Sequence, residues 1–414
     1  MAEYVPLVMP PAVRELSRKA AVVGIGETDF HGDYRAQRKP PPDYEPPTTE
    51  GLATTAFERA LADSGLTRGD IDGLTGSFTY GGPPPDELAQ LLGVKPRWNI
   101  SNGNIMAGPL PVVCAAIAEG KADTVAMIYA VNSRTAGRVF GGSTHPAGSP
   151  LGDGYGTPPS YYYYHPWGWS SQAAHWAMIF AHYQLKYGVR EEDLGAVAQQ
   201  IRRHASRNPN AVMQTPFTIE EYMASRYIVR PLHLLDICLV NDGAVCLIVR
   251  RADKARDMAK PAVDVAGWGE AKIKHSKLDV MVRQQLRPQL EEAGGQAFAM
   301  AGLSQADIGH FEGYDAGSMH LINQIEGYGF AKAGEGVAFC QAGEMELTGR
   351  LPTNTEGGNL SASYMHGWSQ VAETVRQLRH EAGERQVAGV HYAMTSLAQT
   401  DQAHPIIFAR GEEA

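Results

Sequence analysis

Short apolar runs alternate along the chain with longer stretches in which apolar residues recur every three to four positions. That is the pattern of strands interleaved with amphipathic helices. AAVVGIGETDF (20–30) is an apolar run closed by a Gly turn and reads as a strand with its exit loop. Gly24-Ile25-Gly26 opens a dinucleotide fingerprint, but Asp29 stands where the third glycine belongs, so the pair marks a strand end. The proline-rich, charged residues 31–48 read as surface loop, and a helix is expected from Thr49 through EGLATTAFERALADSG. Further on, SQAAHWAMIFAHYQLKYG predicts a long helix, followed by a second one beginning at Glu191.

The pattern also repeats itself. Ser64-Gly65-Leu66-Thr67-Arg68-Gly69-Asp70-Ile71 returns as Ala301-Gly302-Leu303-Ser304-Gln305-Ala306-Asp307-Ile308. Each copy follows an Ala-rich helix, holds a Gly able to end it, and sets Thr or Ser three residues before Asp, a variant of the helix N-cap signature. A fainter echo links Glu119–Ala130 with Ala382–Ala393 at a similar offset. Two matches at one offset predict a duplicated α/β unit whose helices cover its sheets. The boundary is placed in RRADKARDMAKPA, giving halves 1–255 and 256–414.

Composition narrows what such a fold does. A formal charge of −9 and a pI near 5.9 disfavour nucleic acid and anionic membrane surfaces as partners. No apolar run approaches the roughly 18 residues of a membrane span. The first twenty residues carry prolines and charges where a signal peptide has its apolar core, so the expected location is the cytoplasm. Cys114, Cys238, Cys246 and Cys340 form no C-x-x-C and read as reduced; Cys238 and Cys246 read as buried and Cys114 as core. The fourteen histidines form no His-x-His or H-E-x-x-H, so no metal site is expected. Residues 137–170 are Gly/Pro-rich yet strongly aromatic; they fit either an ordered cover over a neighbouring surface or the wall of a pocket for a large apolar substrate.

Several strings carry a family resemblance: EEDLGAVAQQIRRHASRNPNA, the run FTIEEYMASRYIVRPLHLLDICLVNDGAVCLIV, HFEGYDAG, and GRLPTNTEGGNLSASYMHGWSQVAETVRQLRHEAGERQV. Together they resemble, in order and over nearly the whole chain, the thiolase domain of sterol carrier protein X and its bacterial lipid-transfer-protein relatives. The resemblance implies an α/β chain with the five-layer αβαβα thiolase fold, two similar halves and a homodimer.

The departures from that family bear on chemistry. A thiolase carries its acyl group on an activated cysteine. Counting back from Glu119-Gly120 places that position at or beside Gly103, in Asn102-Gly103-Asn104, where there is no cysteine. The family's His-Asp or Asn-Glu motif reads here Glu312-Gly313-Tyr314-Asp315, and the histidine that follows its Gly-Gly loop is replaced by Tyr364, in Gly357-Gly358-Asn359-Leu360-Ser361-Ala362-Ser363-Tyr364-Met365-His366. Tyrosine donates and accepts protons (pKa about 10), so a matched pair of them points to altered rather than lost chemistry. Retro-aldol cleavage of a β-hydroxyacyl-CoA needs a base, an acid and an oxyanion donor but no cysteine. The chain therefore looks like the thiolase-like aldolases of bacterial steroid side-chain degradation.

What this implies is specific. Tyr314 and Tyr364 are the expected proton-transfer pair. Asp315 is expected to orient its neighbour or a turn, and His366 is either a relay or a structural histidine. Gly103, Asn104, Gly357, Gly358 and Asn359 are the expected substrate-binding positions. The substrate implied is a tertiary β-hydroxyacyl-CoA on a steroid D-ring, cleaved without a cofactor. The partner implied is an OB-fold protein of the domain-of-unknown-function 35 family, in an α2β2 assembly. A non-catalytic acyl-CoA or lipid-binding scaffold and a thiolase-type subunit are the alternative readings.

Overall fold

The computed structural model describes residues 14–79, 81–101, 109–137, 171–272, 286–398 and 402–411. Its strands are β1 (Ala20–Glu27), β2 (Gly73–Phe78), β3 (Trp98–Ser101), β4 (Thr124–Asn132), β5 (Tyr227–Val229), β6 (Leu232–His233), β7 (Asp242–Arg251), β8 (Val263–Trp268), β9 (Ala271–Lys272), β10 (His310–Gly313), β11 (Tyr392–Ala398) and β12 (Gln402–Arg410). Strands β5 and β6 pair with each other; the other ten form one sheet in the order β10-β11-β12-β8-β1-β7-β4-β2-β3, with β9 beside β12.

That sheet is two copies of one arrangement. In the first, β1 and β4 both run antiparallel to β7, while β2 lies parallel to β4. In the second, β8 and β11 both run antiparallel to β12, while β10 lies parallel to β11. Among the described residues, the strand pairing between the copies runs through Ala21↔Asp264 and Val22↔Val263.

Burial on both faces explains the near-continuous apolar runs of the central strands. Along β4 and β7, Ala126, Ile128, Ala244, Cys246 and Ile248 face the helices Thr49–Ser64 and Pro85–Leu92. The alternate residues Val125, Met127, Tyr129, Val245 and Leu247 face inward, onto the core that holds the helices Pro109–Ala118 and Trp368–Arg379. The helix Leu286–Ala301 covers β8 and β12 in turn. The result is the five-layer αβαβα stack of the thiolase fold, each buried Val, Leu or Ile contributing roughly 1.5–3 kcal/mol.

The repeated turn is built twice with the same parts. Gly65 and Gly302 both sit at φ 71°, ending their helices in the left-handed conformation open to glycine. Asp70 accepts from the Thr67 amide and hydroxyl at 2.9 and 2.7 Å; Asp307 accepts from those of Ser304 at 2.8 and 2.7 Å. The duplication extends to a further pair of segments: Gly24-Ile25-Gly26-Glu27 matches Gly267-Trp268-Gly269-Glu270. These glycines let strand and helix touch, since a Cβ on Gly26 would lie 2.1 Å from the Ala56 carbonyl oxygen and one on Gly269 1.9 Å from that of Ala293.

One expectation is corrected. Residues 31–48 are not all loop: a helix spans Phe30–Arg38, capped by Asp29 Oδ1, which accepts from Gly32 N at 2.8 Å. None of the described helices is long and apolar enough to cross a membrane.

Candidate active site

Strand β10 ends at Gly313, so Tyr314 and Asp315 emerge at its carboxyl end, where α/β sheets present their ligand-binding groups. The segment Asn354–Gly367 crosses above them. Asn354 clips it down, accepting from Gly313 N at 2.7 Å and donating to Gly313 O at 2.9 Å. A single π-helical turn, Gly358–Ala362, follows, an arrangement frequent at functional sites.

Asp315 holds that turn. Its carboxylate accepts from Asn359 N at 2.8 Å, Asn359 Nδ2 at 2.9 Å and Leu360 N at 3.3 Å. The fit requires glycine: a Cβ on Gly358 would lie 2.1 Å from Asp315 Oδ2, and one on Gly357 2.4 Å from Ala205 Cβ. Asn359 thus spends its backbone and side-chain N–H groups on Asp315 beneath the site, while its buried Oδ1 has no protein partner among the described residues, and the space beside the two glycines is filled by the protein. Burial pushes the Asp315 carboxyl up to about 8, against the pull of the Asn359 amide.

The turn delivers Tyr364 to Tyr314. Their hydroxyls are 2.7 Å apart, with ring centroids separated by 6.4 Å. Tyr314 is buried and Tyr364 half-buried, so Tyr364 is the more accessible partner. The Tyr314 backbone is fixed by Gln324, which donates to its carbonyl at 2.7 Å and accepts from its amide at 3.2 Å. The Tyr364 amide donates to Asn241 Oδ1 at 2.8 Å. Burial, Tyr314 and the nearby Cys238 thiol hold the Tyr364 phenol well above its ordinary range, so it rests protonated.

His366 packs against Tyr364 with ring centroids 4.5 Å apart. Its backbone takes φ 48°, a left-handed value that histidine and asparagine tolerate better than most residues. Its Nδ1 lies 2.5 Å from the Tyr129 hydroxyl, which lies 2.6 Å from Thr79 Oγ1. Burial pulls the imidazole down to about 4, so it is neutral at physiological pH.

Of the residues expected from sequence, Tyr314, Tyr364 and His366 therefore converge, while Asp315, Gly357, Gly358 and Asn359 form the support below them. Gly103 and Asn104 lie outside the described residues, as do residues 138–170 of the aromatic stretch. Cys114 is buried in the helix Pro109–Ala118 with its thiol pushed up to about 12 by burial, the core residue expected. Cys238 is a correction: it is half-buried, because its segment runs between the two loops of the site. Sequence reasoning missed Tyr129, Thr79, Asn241 and Gln324. The only signal for Tyr129 is the alternation along β4 that turns it to the inner face.

Comparison with known proteins agrees with this geometry. The family described as Thiolase C-terminal domain-like matches residues 269–402. The 17-hydroxy-3-oxo-4-pregnene-20-carboxyl-CoA lyase of Mycobacterium tuberculosis is 35% identical over 92% of this chain and 96% of its own length. A steroid side-chain-cleaving aldolase of Thermomonospora curvata is 34% identical over 87% of this chain and 90% of its own. Among solved structures, the Ltp2-ChsH2(DUF35) aldolase superposes with a TM-score of 0.82 at 30% identity, covering 96% of this chain and all of its own. Fold and relatives agree: this chain belongs to the thiolase superfamily, in the family of the steroid side-chain-cleaving aldolases.

Proposed function

We propose that this chain is a carbon–carbon lyase that cleaves a tertiary β-hydroxyacyl-CoA by retro-aldol chemistry, with a 17-hydroxy steroid C22-CoA thioester as substrate and a 17-ketosteroid and propionyl-CoA as products. The observation that carries the reading is the hydrogen-bonded pair Tyr314–Tyr364 at the mouth of a thiolase-type site. The names of the two relatives supply the substrate class.

The chemistry needs no external proton. As the Cα–Cβ bond breaks, the substrate hydroxyl proton passes to the Tyr364 oxygen while Tyr364 hands its own proton to Tyr314, so neither phenol oxygen carries two protons. The bonding electrons move into the thioester as an enolate, and the hydroxyl carbon becomes the ketone. In the same step the proton displaced from Tyr314 is delivered to Cα, so one proton leaves oxygen, one arrives at carbon and both phenols end as they began. A resting phenolate is not required, which suits a phenol whose ionisation burial opposes. No cofactor enters the scheme.

We assign the chain a homodimer and, as its partner, an OB-fold protein of the domain-of-unknown-function 35 family in an α2β2 complex. The superposed aldolase, whose name joins Ltp2 to ChsH2(DUF35), supports that partner. The first half extends to about residue 255. The test is to co-express the chain with such a partner and supply the 17-hydroxy steroid C22-CoA thioester without free CoA. Equal release of 17-ketosteroid and propionyl-CoA is expected. Binding of the thioester with no products would overturn the reading in favour of a scaffold subunit.

A further inference from the structure

A hydrogen-bond chain crosses from the first half of the molecule into the site, and the cleavage scheme above does not use it. Thr79 follows the end of β2, Tyr129 lies on β4 and His366 on the loop before the helix Trp368–Arg379. The contacts are Thr79 Oγ1 to Tyr129 hydroxyl, 2.6 Å, and Tyr129 hydroxyl to His366 Nδ1, 2.5 Å. The Tyr129 ring cannot swing away. It is fully buried and stacks on Trp368 at 5.7 Å with 21° between the planes.

The direction of these bonds follows from acid–base matching. Of the three groups the phenol is the strongest acid and the imidazole nitrogen the strongest base. The favoured arrangement has Tyr129 donating to His366 Nδ1 while accepting from the Thr79 hydroxyl. If Nδ1 accepts, the imidazole proton is on Nε2, the nitrogen that Tyr129 does not engage.

We propose that Tyr129 is a positioning residue that fixes His366 as the tautomer protonated on Nε2, so that an N–H donor stands beside Tyr364 for the thioester oxygen. The inference rests on the retro-aldol reading. There, negative charge develops on the thioester oxygen as the Cα–Cβ bond breaks, and a preorganised donor aimed at such an oxygen is worth about 10²–10³ in rate. The left-handed backbone at His366 fits this role, because strain is retained where a side chain must point one way. The arrangement also divides the labour: the phenols come from the second half and the group orienting the third side chain comes from the first.

The experiment is Tyr129→Phe in the full chain, which removes one oxygen and keeps the ring stacked on Trp368. A decrease in kcat of roughly 10- to 100-fold is expected, less than the roughly 10²–10³ of a lost oxyanion donor because the imidazole stays and only its tautomer is released, with KM little changed. In protein carrying ¹⁵N-histidine, His366, assigned by difference with His366→Asn, should show one protonated and one bare nitrogen. In Tyr129→Phe it should show a mixture of tautomers. Thr79→Val, an isosteric change, should shift the same signals less. In a His366→Ala background, Tyr129→Phe should cost nothing further. The proposal is overturned if the His366 nitrogens do not move, if kcat is unaffected, or if the loss is as large without His366. Tyr364→Phe separates this from failure of the underlying reading: an active Tyr364→Phe removes the retro-aldol assignment, whereas an inactive Tyr364→Phe beside an unaffected Tyr129→Phe removes only the present inference.

Discussion

The turn after Gly65 and the turn after Gly302 are near copies, yet they lead to different things. Both glycines share φ 71°, both turns close on an Asp that accepts from a Thr or Ser three residues earlier, and both enter a strand parallel to its neighbour. Beyond that point they part. Strand β2 runs on to Phe78, with Thr79 just beyond its end, whereas β10 stops at Gly313 and presents Tyr314 and Asp315 to the loop above. Duplicated elements stay alike where backbone geometry demands it and diverge where side chains build the candidate site. In this molecule the second copy carries the phenols and the first copy braces them.

The sharpest way to break this comparison is at the phenols. Tyr364→Phe and Tyr314→Phe should each lower the cleavage rate by about 10²–10⁴, the usual worth of a proton-transferring group, while circular dichroism and melting temperature stay near wild type. If instead Thr79→Ala costs more than Tyr364→Phe, the halves have been assigned the wrong roles.

The next effect concerns what the copies share. Gly26→Val and Gly269→Val each force a side chain against a helix carbonyl, at Ala56 and Ala293. Both should destabilise by about 1–3 kcal/mol, as overpacking does, and chemical denaturation should rank them alike. Very unequal losses would show that the two strand–helix contacts are not equivalent.

A third, smaller difference is electrostatic and belongs to the second copy. Burial holds the Glu312 and Glu356 carboxyls well above their ordinary range, and Asp315 up to about 8, so the folded state keeps protons that the unfolded chain releases near pH 4. Their stabilising contribution is complete below that pH and is lost as pH rises through their raised values. Burial pulls His310, His320 and His366 down to about 4, which works in the opposite sense up to the ordinary histidine range near pH 6.5. Above that only the carboxyls remain, so stability should fall between about pH 6.5 and 8. Glu356→Gln should flatten that slope in melting-temperature measurements, and an unchanged slope would rule Glu356 out as its source.

The smallest effect is at the helix ends. Nothing lies within 4 Å of a Cβ on Gly65 or Gly302, so alanine there meets only the left-handed backbone, at about 1–2 kcal/mol. The two substitutions should match closely.

Much of this architecture is legible in the chain because it is local. A Gly, a Thr or Ser and an Asp at fixed spacing announce a turn wherever they occur, and the two buried strands β4 and β7 announce themselves by unbroken apolar runs. The helix Phe30–Arg38 is hidden by its polar composition and the prolines that follow, with Asp29 as its one visible mark. Tyr314 and Tyr364 are legible only against a known pattern, as the wrong residues in the right places. The roles of Tyr129 and Asn241 are not legible, because the hydrogen bond between Tyr129 and His366 and the one the Tyr364 amide donates to Asn241 span most of the fold and leave no trace in any local window.

The narrow seam between the half-sheets, two residue pairs wide, has an evolutionary consequence. A fused duplication whose sheets meet so narrowly is held together by side chains instead, as Glu27 with Arg376 and Asp63 with Arg379 hold it here. Substitutions around Thr79, Tyr129 or Asn241 can re-aim the reacting groups without touching either phenol. Lineages descended from such a gene would then vary in the bracing copy while the copy that carries the two phenols stands still.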